Sequence, residues 1–99
     1  MKFLLIAKLR PVPGVTSAMI EATRDIAMRN VKNGVVDCFY SFAGGSGSCS
    51  IVSADSGEAL MDMLMEAPAS PFLDVEIQPL ADGRKFLDKV IEGMKKAGL

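Results

Sequence analysis

The chain contains no histidine and only two cysteines among 99 residues. Histidine is the commonest metal ligand, and two cysteines form no cluster, so the sequence offers neither a zinc nor a haem site. Cys38 and Cys49 are too few for a disulfide framework. They read as small buried hydrophobes in a reducing compartment, with a redox pair or reactive thiol as the alternative. Neither sign of charge dominates: 11 basic residues face 12 acidic ones, for a formal charge of −1. A nucleic-acid partner would leave a basic footprint, and none is present. No run reaches membrane-spanning length. The opening Met1-Lys-Phe-Leu-Leu-Ile-Ala7 carries one lysine and a short apolar stretch that Lys8 and Arg10 interrupt, which is no signal peptide. A cytoplasmic protein is the expectation.

What the chain has in quantity is apolar side chains, at 49% of residues and a mean hydropathy of +0.29. Ninety-nine residues suffice for a single domain, 1–99, and a domain of that size buries a modest fraction of its surface. The excess predicts that some apolar surface meets another copy, making the protein at least a dimer.

Lys2 to Leu9 is apolar on both faces and reads as a strand covered on both sides, stopped by Pro11-Val-Pro13-Gly14. Thr16 or Ser17 caps a helix to about Val31, with Met19, Ala22, Ile26 and Ala27 inward and Asp25 paired with Arg29. Val35 to Phe42 reads as a strand with Val36, Cys38, Tyr40 and Phe42 on one face, which places Tyr40 in the core. Ala43-Gly-Gly-Ser-Gly47 makes a hairpin turn; it lacks the lysine and following helix of a phosphate-binding loop. Ser48 to Ser53 returns as a strand. Asp55 caps a second helix, with Glu58 closing a capping box, and Met63 lies in its core face between Met61 and Met65. Pro68 ends it. Leu73, Val75 and Ile77 alternate with Asp74, Glu76 and Gln78 in a clear strand period that Pro79 closes. A final basic amphipathic helix follows Asp82, within an extension spanning 80–99, and suits a protein surface better than a membrane.

The order is strand, helix, strand, strand, helix, strand, then an extra helix. This is an α+β, ferredoxin-like βαββαβ order, with two helices on one face of a four-stranded antiparallel sheet. The other face is bare in a monomer. It is predicted to meet a second sheet and to enclose a small lumen between subunits.

The chain resembles the muconolactone isomerase family of dimeric α/β-barrel proteins. The resemblance runs from Ala27-x-Arg29 and Gly34 through Ala43-Gly44, Ser50, Ser56-x-Glu58-Ala59-Leu60, Asp62 and Leu64-Met65. It continues through Pro68-x-x-Pro71 and Asp74-x-Glu76 to Leu80, and Lys8 is similar to a lysine near the end of the family's first strand. It implies a ferredoxin-like protomer in an oligomer, a pocket at subunit contacts, and isomerisation of an unsaturated lactone acid by an allylic proton shift with no metal or organic cofactor. The family's second strand carries Trp, Arg and His, where this chain has Val36-Asp-Cys-Phe-Tyr-Ser41. Asp37 and Phe39 from that strand, with Ser50 from the third, are the substrate-binding candidates; the strand lacks the positive charge that would hold a substrate carboxylate, and Asp37 would repel one.

A proton shift needs a positioned acid and base. Asp74 and Glu76 lie two apart on one strand and so share a face. Buried there, the pair would give a protonated donor beside a charged acceptor, with Lys8 steadying a developing enolate. The plainer reading is that both carboxylates are solvated or salt-bridged at a subunit contact. Function is therefore read as a cofactor-free isomerase of a small unsaturated lactone or related ring. The alternatives are a non-catalytic oligomeric domain that binds a small ligand or a protein, and, by fold analogy alone, a cofactor-free monooxygenase.

Overall fold

The computed structural model describes residues 1–10 and 12–99. Four strands and three helices follow one another as β1 (Lys2–Leu9), α1 (Ser17–Lys32), β2 (Val36–Ser41), β3 (Ser48–Ser53), α2 (Gly57–Met65), β4 (Leu73–Leu80) and α3 (Gly83–Lys96). A short 3-10 turn, Ser70–Phe72, precedes β4. The strands form one antiparallel sheet in the order β2-β3-β1-β4, which is the ferredoxin-like arrangement. The expected fold class is the observed one. β1 ends at Leu9, as expected; Pro11, part of the stop assigned to it, lies outside the described residues.

β1 is central because it is apolar on both faces. Phe3 pairs with Val52 of β3 and Pro79 of β4, and Leu5 with Ser50 and Ile77. These residues face α1 and α2. Leu4 and Ile6 point the other way, to the open face. Pro79 is tolerated because β4 is an edge strand and needs no outward N–H partner. The buried core is small: Phe3, Val36, Val52 and Leu60, with Met63, Leu64 and Ile77 packed around it.

Thr16 caps α1, its hydroxyl accepting from the Met19 amide at 3.2 Å. The cap of α2 is Ser56 rather than Asp55, with its hydroxyl accepting from Ala59 N at 3.1 Å. Glu58 thus sits in the first turn, where its charge suits the positive end of the helix, and not at the position of a capping box. Asp25 pairs with Arg24, and Arg29 reaches across to Glu66 at 2.8 Å, so the expected Asp25–Arg29 pair gives way to one that ties α1 to the end of α2.

The second strand departs from a simple alternation. The β2–β3 register shifts between Val36 and Cys38, leaving Asp37 as an extra residue in a bulge. Val36 therefore enters the core, but Cys38 and Tyr40 turn to the open face, and Phe39 takes the helix side. Tyr40 is 66% exposed, so its expected core position is overturned by that one inserted residue.

Two details hold the fold at positions that look unremarkable in sequence. Thr23 donates its hydroxyl proton to the Met19 carbonyl at 2.8 Å and accepts from the Ala69 amide at 3.2 Å, pinning the proline-framed turn onto α1. Gly47 lies so close to β1 that an added Cβ would stand 2.5 Å from the Ala7 carbonyl oxygen. Thr23→Val strands the amide of Ala69, itself 1% exposed, and is expected to cost about 1–3 kcal/mol in urea unfolding. Gly47→Ala must push the hairpin off β1 and is expected to lower stability by about 1–3 kcal/mol in the same measurement.

Candidate functional site

Two depressions lie on opposite faces of the sheet. The larger is a cavity of about 460 Å³ between the sheet and the two helices that cover it. Leu5, Ala7 and Leu9 of β1 and Leu73 of β4 supply its apolar floor. Ile20 and Ala27 of α1 and Leu64 of α2 supply its roof. It exists because the facing residues are mostly small or medium in size: Ala7, Ser48 and Ser50 on the sheet oppose Ala27 and Ala67 on the helix side.

Polar groups at this cavity are few. Ser50 is 5% exposed and directed to the helix side by its pairing with Leu5 and Phe39. Ser41 and Ser48 lie nearby, and Thr23 is occupied by its two hydrogen bonds. Arg24 is the one charged residue of the lining among the described residues. Its guanidinium bonds the Asp25 carboxylate through two nitrogens at 3.2 Å and is largely exposed, so it stands at the margin of the cavity.

The second depression, about 330 Å³, is an open cleft on the bare face, lined by Ile6, Lys8, Asp74, Val75 and Glu76. The β1–β4 register sets Lys8 opposite Asp74 and Ile6 opposite Glu76. Three of the expected site residues therefore do come together. They remain solvated: the Asp74 side chain is 67% exposed and takes the Arg10 Nε at 3.4 Å, and Glu76 accepts from Gln78 at 3.5 Å. In a single protomer the burial that would make a donor and acceptor of the pair is absent.

The six expected residues thus divide. Phe39 and Ser50 line the cavity between sheet and helices, and Lys8, Asp74 and Glu76 line the cleft on the other face. Asp37, in the bulge, is held by the Lys2 ammonium at 2.6 Å. Within one protomer the sheet stands between the two groups, so they cannot touch one small molecule. Of the two depressions, the cavity is the better ligand site because its lining is mostly apolar with a few polar groups, whereas the cleft leaves its charges in solvent. The α1 residues of the cavity, Ile20, Arg24 and Ala27, were not singled out as a group by sequence reasoning. Their spacing of four and three puts them on one helix face, which is the signal that was available.

No curated protein matches the chain significantly. Among solved structures, muconolactone isomerase superposes with a TM-score of 0.74 at 26% identity, over 83% of this chain and 90% of the other. A 5-chloro-2-hydroxyhydroquinone dehydrochlorinase from Burkholderia phenoliruptrix AC1100, solved with 2,5-dihydroxybenzoquinone, shares the fold. Its TM-score is 0.60 at 15% identity, over 86% of this chain and 98% of the other. The family model for muconolactone delta-isomerase matches residues 1–84, which take in the whole sheet and both helices that roof the cavity, and the chain belongs to that family.

Proposed function

We propose that the protein takes a small unsaturated lactone or related ring into the cavity between sheet and helices and shifts a proton on it without a metal or organic cofactor. The cavity carries this reading. At about 460 Å³ it has the size of a small-molecule site, and its walls would strip water from an apolar ring. Ser50 offers a hydroxyl to orient the ring, Phe39 an aromatic face, and Arg24 a guanidinium suited to a carboxylate or to charge building as a proton leaves. Membership of the muconolactone delta-isomerase family supports the reaction class.

The proton shift also needs an acid and a base. Asp74 and Glu76 are proposed for these roles and Lys8 for steadying the enolate. Because the sheet separates them from their own cavity, the reading requires that they meet a ring bound by another copy, so the working enzyme is an oligomer with a shared site. Asp37, bound to Lys2, is the weakest of the proposed substrate contacts.

A second reading, ligand binding without turnover, is favoured by one observation: among the described residues, no carboxylate, thiol or phenol lines the cavity. Complementation separates the two. Ser50→Leu fills the cavity and Glu76→Gln removes the base; each is expected to keep its circular dichroism spectrum and to lose about 100-fold or more of muconolactone turnover. Mixed oligomers of the two variants are expected to regain part of it, since some sites then pair an intact cavity with an intact carboxylate. Unchanged turnover in Glu76→Gln removes that residue from the reaction. Wild-type protein that binds the lactone in a thermal-shift assay yet never turns it over leaves the binding reading standing.

A further inference from the structure

The cavity between sheet and helices is larger than one ring needs. A cavity of about 150 Å³ lined by Leu, Ile and Phe holds one benzene. At about 460 Å³ this one has roughly three times that space. A bare five-membered lactone would leave most of it unfilled, and wall atoms that face a void forfeit their dispersion contacts. The occupant that fits carries more than a lactone ring.

The floor is divided into two chemically different halves. On the helix side, the strand registers set Phe39, Ser50, Leu5 and Ile77 in one row across the sheet, and Ser41, Ser48, Ala7 and Val75 in the next. Leu9 and Leu73 stand opposite each other beyond them. The hydroxyls of the floor therefore belong to β2 and β3, and the lining from β1 and β4 is hydrocarbon alone. Alternation produces the division, since Ser48 and Ser50 are two apart on β3 as Leu5, Ala7 and Leu9 are on β1.

The roof repeats this asymmetry. The Thr23 hydroxyl is already engaged by Met19 and Ala69, and Arg24 is bonded to Asp25 at the margin. Asn30 of α1 lies next to the start of β2, its carbonyl accepting from Val35 N at 3.0 Å, and adds its amide to the polar half. Ser50 is 5% exposed, so its hydroxyl serves a ligand inside the cavity and not one at the surface.

We propose that the substrate is two-sided. An oxygenated ring lies over β3 with its carbonyl or ring oxygen held by Ser48 and Ser50. An apolar substituent on that ring, a short alkyl chain or a second ring, lies over Leu5, Ala7, Leu9 and Leu73. The proposal rests on the reading of this cavity as the site of a lactone isomerase, and it names the class of lactone. Ala7 is the residue that admits the substituent, being the one short side chain between Leu5 and Leu9. Ser48 and Ser50 set which way round the molecule lies.

The test reads binding apart from turnover. Saturated lactones have no double bond to shift, so calorimetry with them measures binding alone. Each methylene buried is worth about fourfold in affinity, so a saturated five-membered lactone with a butyl or phenyl group on the ring is expected to bind at least about tenfold more tightly than the unsubstituted lactone. Ala7→Leu, checked for folding by circular dichroism, is expected to remove that preference while binding of the unsubstituted lactone stays within about threefold. Ala7→Val, a milder change in a strand that suits β-branched residues, is expected to remove part of it. Ser48→Ala with Ser50→Ala is expected to weaken substituted and unsubstituted lactones alike, by about tenfold. A substituted lactone bound no more tightly than the bare ring would overturn the proposal. So would a preference that survives Ala7→Leu, or serine variants that bind both lactones as before. None of these results touches the isomerase reading, which is tested by turnover of the unsaturated counterparts. The expected binding order with no turnover of any unsaturated lactone would uphold the two-sided site and overturn the isomerase reading. No binding of any lactone would overturn both.

Discussion

Pairing of β1 with both β3 and β4 is the constraint on which the rest depends. The strand is apolar on both faces, so it is stable only in the middle of a sheet with something packed on each side. Its helix-facing residues, Phe3 and Leu5, collect Val52, Ile77 and Leu60 into the core, while its other face presents Leu4 and Ile6. The same pairing brings Lys8 beside Asp74 and directs Ser50 into the cavity. A slip of one residue along β1 would exchange the two faces and with them both candidate sites.

The protomer is built with little to spare. Among the described residues five hydrophobic ones are buried, and many large apolar side chains stay exposed. This follows from size, because a domain of about a hundred residues cannot enclose so apolar a composition by itself. The cavity, the bare sheet face and α3 are three expressions of that surplus. Small side chains leave the first open, the absence of a covering layer leaves the second, and a helix beyond the family's shared domain adds the third. In this chain, proposals about function are therefore proposals about what fills or covers apolar surface.

Much of this was legible before the fold was known. Period-two alternation at Leu73 to Gln78 marks β4, and a helical period marks all three helices, because burial of one face writes itself into local spacing. The shared face of Asp74 and Glu76 also follows from that alternation, whereas Lys8 joins them only through the pairing of β1 with β4. The bulge at Asp37 does not. Nothing in Val36-Asp-Cys-Phe-Tyr says that one residue will be skipped, since the register is decided by how β3 pairs, and simple alternation therefore puts Tyr40 on the wrong face. The capping residue of α2 was off by one for a related reason: Asp55 and Ser56 are both competent caps, and the path of the chain from β3 selects between them.

By itself the sequence determined the element order and the ferredoxin-like class, because these rest on periodicity and capping chemistry, which are local; the family rests instead on the likeness of its motifs to those of known members. Tertiary structure alone decided where the empty space lies. A cavity is a mismatch between side chains from β1, β3, α1 and α2, residues far apart in the chain whose sizes matter only once they face each other. It also decided that the carboxylates and the cavity fall on opposite sides of the sheet, because a face is a property of pairing and not of any strand alone.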